Sequence, residues 1–273
     1  MSKIKVLSVI GTRPEALKMA PVLRELSQHS DKIISECCAT AQHREMLDQV
    51  LNLFGITPDY DLDLMIPDQS PSNLASKVFE KMDAMIVKEK PDWVLVQGDT
   101  TTVMATSLVA HYNKVKIGHV EAGLRSGDKY QPFPEELNRK VVGVTANLHF
   151  APTEIARGNL LKENIPHDHI IVTGNSVIDA LHWVVKQPYD LENSPLKDIP
   201  WKKRIILVTA HRRENFGKPI REICKAIREI AETFESVHLV YPVHLNPHIH
   251  GPVHELLDGV KNITILPPVE YQP

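Results

Sequence analysis

Runs of apolar residues alternate along the first 174 positions with segments in which apolar residues recur at helical spacing. The predicted strands are 4–10, 33–40, 92–97, 115–121, 148–151 and 170–174. The predicted helices are 14–29, 43–54, 72–89, 101–113, 135–146 and one that begins at 153. Continuous apolar strands that alternate with helices are typical of a parallel sheet covered on both faces. The pattern therefore predicts an α/β fold with a doubly wound N-terminal domain over 1–174.

A second βα series follows a proline-rich, charged stretch at 188–202, and it predicts a C-terminal domain over 175–273. Its predicted helix is 219–235, and its predicted strands are 204–210, 237–243 and 263–266. A doubly wound domain usually has more than three strands, and the series stops at the segment PPVEYQP. We therefore expect the second domain to be incomplete in this sequence.

Composition indicates an ordinary globular chain and excludes some classes of protein. Hydrophobic residues make up 42% and charged residues 24% of the 273 residues, and the net charge of −3 argues against broad nucleic-acid binding. The first apolar stretch is too short for a signal peptide, and no run approaches the ~18 apolar residues of a membrane span. The three cysteines form neither a disulfide framework nor a zinc spacing. We expect a reducing, cytoplasmic setting without a nucleic-acid or membrane partner.

Polar clusters follow the predicted strands in both series. They are GTRPEALK, TAQHR, GDTTT and VEAGLR in the first series, and TAHRREN and PVHLNP in the second. Ligands of open parallel sheets bind outside the carboxyl ends of the strands. The clusters therefore predict one functional edge in each domain, and two such edges that faced one another would form a cleft.

The segment GTRPEALK predicts an anion-binding turn. Gly11 and Thr12 precede a helix, whose free N–H groups and dipole favour an anion. Arg13 and Lys18 add positive charge. The segment has neither the dinucleotide-binding glycine spacing nor a Walker loop, so it implies no nicotinamide cofactor and no ATP. A capped helix with solvated Arg13 and Lys18 side chains is the alternative explanation.

Three carboxylates occupy strand ends and helix starts in the first series. Asp99 follows one strand, Glu121 ends another, and Glu135 begins a helix together with Glu136. Carboxylates that surround one pocket can have divergent pKa values, so that one acts as a base and another as an acid. Structural alternatives stay open, namely a helix cap for Asp99, an ion pair of Glu121 with Arg125, and dipole-favoured positions for Glu135 and Glu136.

The second series carries basic side chains after its strands. His211 and Arg212 suit a diphosphate, and His211 could also move a proton. The segment PVHLNPHIHGPVH holds four histidines. We expect its prolines to prevent any single helix from placing two of them on one face, so we predict no metal site. We retain His244, at the strand end, as a ligand contact.

These motifs together resemble a known family. The sequence contains, in order, GTRPEALKMAP, TAQHREMLDQVL, GDTTT, GHVEAGLRSGD, PFPEELNR, FAPTE, TGNSVIDAL, TAHRREN and YPVHLNP. The set resembles the non-hydrolysing UDP-N-acetylglucosamine 2-epimerases of bacteria and archaea over nearly the whole chain. The resemblance implies the glycosyltransferase-B architecture, in which two Rossmann-like doubly wound domains enclose the active site. The proline in GTRPEA favours the non-hydrolysing branch.

The resemblance implies reversible interconversion of UDP-GlcNAc and UDP-ManNAc without a cofactor, supplying ManNAc units for surface polysaccharide. UDP leaves by anti elimination to 2-acetamidoglucal and adds back in syn fashion with the proton on the other face. Matched motifs imply these catalytic residues: Asp99, Glu121, Glu135 and His211. They imply these substrate contacts: Arg13, Lys18, Arg212 and His244. A homodimer and allosteric activation by UDP-GlcNAc are also implied, with the allosteric candidates Gln42, His43 and Arg44.

One departure from the family pattern and three alternatives accompany this interpretation. The family segment TDSGG…EEAP, which binds UDP in the second domain, is not in this sequence. The resemblance therefore implies that the 273-residue chain is inactive or nearly so. The alternatives are a glycosyltransferase of the same architecture, a hydrolysing epimerase that releases ManNAc, and a non-catalytic nucleotide-sugar sensor.

Overall fold

The computed structural model describes residues 3–40, 44–64, 66, 69–212, 215–269 and 271–272, without the side chains of 44–46. The chain divides into two compact units, Met1–Trp183 and Val184–Pro273. Each unit is built on its own parallel sheet. The predicted fold class, α/β with two doubly wound units, is confirmed.

In the described part of the first unit, strands alternate with helices as predicted. The strands are β1 (Ile4–Ile10), β2 (Ile33–Ala39), β3 (Tyr60–Asp61), β4 (Trp93–Gln97), β5 (Lys116–Val120), β6 (Leu148–Ala151) and β7 (Ile170–Val172). The helices are α1 (Arg13–Gln28), α2 (Arg44–Phe54), α3 (Pro71–Glu89), α4 (Thr101–Tyr112), α5 (Glu135–Thr145), α6 (Glu154–Lys162) and α7 (Ser176–Val184). The sequence patterns do not predict the short β3 or α7. Helix α7 follows the proposed domain boundary at residue 174, and most of it belongs to the first unit.

The strands of the first unit form a seven-stranded parallel sheet in the order β3-β2-β1-β4-β5-β6-β7. Val6 of β1 pairs with Trp93 of β4, and the register continues to Ser8 with Leu95. The strand order reverses between β1 and β4. This reversal is the topological switch point, where doubly wound sheets bind their ligands.

Helices cover both faces of the sheet at its centre. Leu7 and Val9 of β1 lie in one apolar cluster with residues of α3 and α4. Val6 and Ile10, which point to the opposite face, are also buried. Burial on both faces explains why the central strands read as unbroken apolar runs rather than as alternating ones.

Hydroxyl caps turn several strand ends directly into helices. Thr12 caps α1, and Glu15 completes a capping box with it. Thr100 caps α4 and Thr153 caps α6, each by accepting a backbone N–H two or three residues into the helix. These short connections bring the polar residues after each strand to the carboxyl edge of the sheet.

The second unit contains strands β8 (Arg204–Leu207), β9 (Val237–Pro242) and β10 (Ile263–Leu266) and helices α8 (Lys218–Thr233) and α9 (Pro247–Leu257). The strands form a parallel sheet in the order β10-β9-β8. This arrangement is one half of a doubly wound sheet. The unit has its own apolar core, which includes Ile220, Leu239, Tyr241 and Ile249.

The prediction that prolines break any helix in the histidine-rich segment is wrong. Pro247 occupies the first turn of α9, where a missing N–H costs nothing, and Pro252 lies inside the helix. The helix continues past Pro252 because Val253 and other apolar residues on one face are buried. His250 and His254, one turn apart, have ring centroids 4.2 Å from each other.

The state of the cysteines and the length of the helices can be compared with the cellular setting that the sequence predicts. Cys37, Cys38 and Cys224 are free and buried. Burial raises the pKa of Cys37 to about 12, so this thiol stays protonated. In the part of the chain that the structure describes, no helix has both the length and the apolar character needed to cross a lipid bilayer.

Candidate active site

Polar side chains of the first unit meet at the carboxyl edge of the sheet. Lys18 lies in α1, Asp99 follows β4, Glu121 follows β5, and Glu135 begins α5. Strands β1, β4 and β5 are neighbours in the sheet, so their ends lie side by side at the switch point. The sequence-predicted carboxylates therefore occupy one edge, as expected.

Glu121 is held by donors from three separate segments. Its backbone φ is 64°, a left-handed conformation that is uncommon outside glycine and is found at functional sites. Its Oε1 accepts hydrogen bonds from Lys18 Nζ at 2.6 Å and from Gln97 Nε2 at 3.2 Å. Its Oε2 accepts one from Asn175 Nδ2 at 2.8 Å. With its side chain only 10% exposed, Glu121 is fixed in one orientation by these bonds.

The alternative ion pair between Glu121 and Arg125 is wrong. Arg125 instead forms a bidentate pair with Glu163, with Nε to Oε1 at 2.9 Å and Nη2 to Oε2 at 2.6 Å. This pair joins the loop after β5 to the end of α6. The partner of Glu121 is Lys18, which is distant in sequence and becomes a neighbour only because β1 and β5 flank β4.

Asp99 is held by helix α5. Arg139 approaches its Oδ2 with both Nε at 2.8 Å and Nη2 at 2.7 Å. Asn138 Nδ2 donates to the backbone carbonyl of Asp99 at 2.8 Å. Asp99 is therefore more than a turn residue, because its carboxylate and its carbonyl are both oriented from the same helix.

The consecutive Glu135 and Glu136 have different environments. Glu136 is fully buried and accepts the backbone N–H groups of Ser126 and Gly127, each at 3.1 Å. Burial alone would raise the pKa of Glu136, but these bonds and Arg139 lower it below its ordinary value. Glu136 thus has a structural role, whereas Glu135 Oε2 is buried with no hydrogen-bond partner among the described residues. Of the two, Glu135 is the one with a carboxylate oxygen that no described residue binds.

The anion-binding turn predicted at GTRPEALK is already occupied by a carboxylate. Glu15 Oε2 accepts the backbone N–H groups of Gly11 and Thr12, so neither N–H is free for a phosphate. The side chain of Glu15 is almost completely buried. The structure corrects this part of the expectation, because the capping box takes up the donors of the first turn.

The cationic side chains of α1 differ in their contacts. Lys18 pairs with Glu121, as described above. Arg13 is half-buried, and its guanidinium forms no hydrogen bond or ion pair with any residue that the structure describes. Among the described residues nothing occupies the donors of Arg13, which suits contact with an anionic ligand.

An open cavity of about 540 Å³ lies beside Glu121 and Asn175. Its wall is mostly apolar and includes Leu95, Val120 and Phe150 of the sheet. The lining residues all belong to the first unit. The cavity therefore leaves space for a ligand beside the Glu121 carboxylate.

The predicted basic residues of the second unit lie after β8 and β9. The rings of His211 and His244 are stacked with centroids 5.8 Å apart. Both side chains, like that of Arg212, are exposed. His244 Nδ1 accepts the backbone N–H of Asn246 at 3.0 Å. The structure therefore brings His211 and His244 together, as the strand-end argument predicts.

The remaining candidate residues concern metal binding and allostery. Within the described ranges, no group of three or more His, Cys, Asp or Glu side chains has the arrangement of a metal site. His254 pairs with Asp258 at 2.9 Å. The allosteric candidates Gln42 and His43 lie outside the described residues, and of Arg44 only the backbone, at the start of α2, is described.

Several site residues do not follow from the sequence patterns. Gln97, Asn175 and Arg139 contact the predicted carboxylates, and Glu15 fills the first turn of α1. Glu15 has a recognisable signal, since TRPE is a capping box with Thr12. The others have none, because their partners are far away in sequence.

The fold and this edge define the class as a doubly wound α/β protein with a carboxylate-rich candidate site at its switch point. Comparison with known proteins identifies the family. The chain belongs to the UDP-N-acetylglucosamine 2-epimerase family, whose model matches residues 24–273.

Individual relatives support this assignment. The UDP-N-acetylglucosamine 2-epimerase of Escherichia coli K12 is 50% identical over 276 residues, covering 99% of this chain and 73% of the relative. The crystal structure of the Neisseria meningitidis UDP-GlcNAc 2-epimerase bound to UDP-GlcNAc is 47% identical, with a TM-score of 0.86, covering 99% of this chain and 74% of the other. The Methanocaldococcus jannaschii enzyme, solved with UDP-GlcNAc and UDP, is 31% identical with a TM-score of 0.75, covering 98% and 75%.

Proposed function

We propose that this protein interconverts UDP-GlcNAc and UDP-ManNAc without hydrolysis. The observation that carries the proposal is the group of Asp99, Glu121 and Glu135 at one sheet edge, with Lys18 bound to Glu121 at 2.6 Å. A proton leaves C2 of the sugar to a carboxylate while the C1–O bond to UDP breaks. The product of this step is 2-acetamidoglucal. UDP then adds back to C1 and a proton returns to the other face of C2, so no water or redox partner is consumed.

The roles of the carboxylates follow from what this reaction needs. The C2 proton is not acidified by a neighbouring carbonyl, so its loss must be coupled to departure of UDP. Glu121 and Asp99 are each oriented by fixed donors, which suits proton transfer at a defined position. Glu135 Oε2 is buried and unpartnered among the described residues. His211 is a further proton carrier on the family resemblance.

Cationic side chains stabilise the charge that develops on the departing diphosphate. Arg13 and Lys18 are the proposed cations of the first unit. Arg212 and His244 are the proposed UDP contacts of the second. The N. meningitidis relative was solved with UDP-GlcNAc bound, which supports the same substrate for this chain.

Deuterium exchange tests the proposal against its alternatives. UDP-GlcNAc is incubated in deuterated water with the 273 residues joined to the part of the E. coli relative that lies beyond the aligned region, and the nucleotide sugars are examined by NMR. Deuterium at C2 of both epimers is expected. Retained protium with sugar transfer would indicate a glycosyltransferase, free ManNAc with UDP would indicate a hydrolysing epimerase, and bound but unchanged UDP-GlcNAc would indicate a sensor.

Substitution of the carboxylates provides a second test. In this extended form, Asp99→Asn, Glu121→Gln and Glu135→Gln should each lower kcat by about 10²–10⁴-fold while UDP-GlcNAc still binds. Glu80→Gln is the matched control, because Glu80 is a 74% exposed carboxylate of α3. A set of three variants with the kcat of the control would contradict the proposal.

We also propose that the 273 residues alone are inactive or nearly so, because the TDSGG…EEAP segment of the family is not among them. The chain covers 73% of the E. coli relative. An extended form, in which the 273 residues are joined to the part of that relative beyond the aligned region, provides the comparison. Equal kcat values for the chain and the extended form would contradict this proposal.

Regulation, assembly and setting complete the proposal. UDP-GlcNAc is the proposed allosteric activator, and it binds at Gln42, His43 and Arg44. A reaction that starts from pure UDP-ManNAc should therefore show a lag, and a trace of UDP-GlcNAc should remove this lag. The proposed assembly is a homodimer, which light scattering can measure. The proposed setting is the cytoplasm, supported by the three free thiols, and the product serves surface polysaccharide synthesis.

A further inference from the structure

Glu15 joins two turns of the candidate site without belonging to the carboxylates that face it. It lies in the first turn of α1 and is only 2% exposed. Its Oε2 accepts the backbone N–H groups of Gly11 and Thr12, and its Oε1 accepts the Thr100 hydroxyl at 2.6 Å. The β1–α1 turn and the β4–α4 turn are thus connected by one buried side chain.

The second of these turns carries Asp99. Thr100 follows Asp99 directly, and its hydroxyl also caps α4 by accepting Val103 N–H at 3.3 Å. From the other side, Arg139 of α5 holds the Asp99 carboxylate. Asp99 therefore lies between two anchors, and Glu15 is the anchor on the α1 side.

The surroundings leave Glu15 little freedom to move. A Cβ at Gly11, whose N–H donates to Glu15, would lie 2.7 Å from Thr40 Oγ1 and 2.9 Å from Thr102 Oγ1, so this backbone fits closely against the residue after β2 and the first turn of α4. A carboxylate in this space cannot reach water, and its three donors satisfy it. An isolated helix cap needs only its own helix, whereas Glu15 also reaches a different turn, 85 residues away in sequence.

Both protonation states of Glu15 fit this geometry. Burial raises the pKa of Glu15 to about 7, although the bonds from Thr100, Gly11 and Thr12 oppose the rise and the charge of Asp99 adds to it. The ionised form accepts the Thr100 hydroxyl proton, and the neutral acid can donate its own proton to Thr100 Oγ1. A glutamine at this position can donate in the same way, so Glu15→Gln is a conservative variant.

We propose that Glu15 is a positioning residue that sets the location of Asp99 by tying the β4–α4 turn to the first turn of α1. The inference rests on the proposed function for its effect on catalysis. The tie itself is a structural property that can be measured without turnover.

Amide hydrogen exchange measures directly the connection that Glu15 makes between the β1–α1 turn and the β4–α4 turn. Glu15→Ala should speed exchange at Val103, on the far side of the connection, as well as at Gly11 and Thr12. Thr100→Val should in return speed exchange at Gly11 and Thr12, because coupling between two sites is reciprocal. If Glu15→Ala fails to fold, the exchange rates of Gly11 and Thr12 in Thr100→Val still test the connection. Effects confined to each variant's own turn would overturn the proposal.

Kinetics measure the consequence for Asp99. In the extended form, Glu15→Ala and Thr100→Val should lower kcat by about 10²-fold, the scale of a 1 Å misplacement, while KM changes little. Glu15→Gln and Thr100→Ser keep the tie and should restore kcat to within about threefold of the parent.

A matched control separates positioning from loss of stability. Asp92 Oδ2 accepts Lys5 N–H at 2.8 Å, linking β1 to the residue before β4 at the opposite end of the same two strands. Asp92→Ala should lower the urea midpoint and leave kcat unchanged. A loss of kcat in Asp92→Ala equal to that in Glu15→Ala would also overturn the proposal.

The two sets of readings distinguish failure of this inference from failure of the proposed function. Reciprocal amide exchange in an extended form that shows no epimerisation supports the connection made by Glu15 and refutes the proposed function. Epimerisation by a parent whose exchange effects stay local supports the proposed function and overturns the inference.

Discussion

At the scale of single residues, the partners of each carboxylate separate its role from that of its neighbour. Glu121 is bound on both oxygens by neutral or cationic donors. Glu136 accepts hydrogen bonds from two backbone N–H groups and from Arg139. These bonds give Glu136 a structural role and leave neither of its oxygens for a substrate. The donors around each carboxylate thus distinguish Glu121, a candidate site residue, from Glu136, which has a structural role, although the two side chains are chemically identical.

Lys18→Met tests the pairing of Glu121. Methionine keeps much of the apolar stem and removes the ammonium, so Glu121 Oε1 retains only Gln97 as a donor. We expect kcat/KM of the extended form to fall by about 10²-fold, since a charge-assisted bond of roughly 1.5–3 kcal/mol is lost. Steady-state kinetics with UDP-GlcNAc measure the change.

Lys81→Met is the control for this variant, because Lys81 is 52% exposed and pairs only at the surface with Glu80. Its kinetics should match those of the parent. A Lys18→Met protein with parental kcat/KM would show that the 2.6 Å contact has no part in the reaction.

Sequence patterns predict the position of a site residue better than its partner. Asp99 and Glu121 are predictable because strand ends can be read from apolar runs, and these ends define the functional edge. Their partners, Arg139 and Lys18, are set by which strands become neighbours in the sheet. Arg125 is the nearest cation to Glu121 in sequence, and it pairs with Glu163 instead.

At the scale of elements, close packing between a loop and a helix fixes the segment that follows β5. Gly123 has φ of 89°, and Asn159 of α6 donates to its carbonyl at 3.0 Å. The Arg125–Glu163 pair adds a second connection to the same helix. This segment carries Glu121 at its start, so α6 contributes to the position of the site.

Gly123→Ala should therefore be strongly destabilising. The added Cβ would lie 2.3 Å from the Ala156 carbonyl oxygen, a backbone atom that cannot rotate away, and the positive φ adds strain. We expect the free energy of unfolding to fall by about 2–4 kcal/mol. Urea unfolding followed by circular dichroism measures it.

Gly158→Ala, in the same helix α6, is the matched control for this substitution. Nothing lies within 4 Å of a Cβ built at Gly158, so alanine should raise stability by up to about 1 kcal/mol through its helix propensity. Equal stability of the two variants would contradict the packing argument.

The elements that the sequence fails to predict share a physical cause. Helix α9 forms in spite of Pro252 because Ile249, Val253 and Leu257 bury one face against the second sheet, and tertiary packing outweighs the local penalty. Helix α7 is anchored by Trp183, whose ring stacks on Phe54 at 4.7 Å. Neither contact is visible in a local pattern.

At the scale of the whole molecule, the strand order determines which chemistry is concentrated at one edge. Both sheets are parallel, so every strand of a unit delivers its following residues to the same side. In the first unit the strand order reverses between β1 and β4, and helices α1 and α4 begin beside this switch point. The alternation of elements, and hence this edge, is predictable from apolar periodicity, whereas the buried polar pairs inside the sheet are not.

One such pair, His119 of β5 and His149 of β6, makes the stability of the molecule depend on pH. The two residues are directly paired in register, and both are buried. Burial lowers the pKa of His119 to about 3 and that of His149 to about 4. His119 Nε2 donates to the Gly98 carbonyl at 2.7 Å, just before Asp99, and this bond opposes the effect of burial on the pKa of His119 only in part.

The unfolded chain binds protons at these histidines below pH ~6.5, whereas the folded protein does so only near pH 3–4. Stability is therefore full above pH ~6.5 and is lost as the pH falls from there toward 4, by up to ~1.4 kcal/mol per pH unit for each histidine. We expect the double variant His119→Gln/His149→Leu to flatten this slope in urea unfolding measured from pH 7 to 4. His29→Gln, which replaces a 51% exposed histidine, should retain the parental slope. An unchanged slope in the double variant would mean that these histidines titrate equally in the folded and unfolded states.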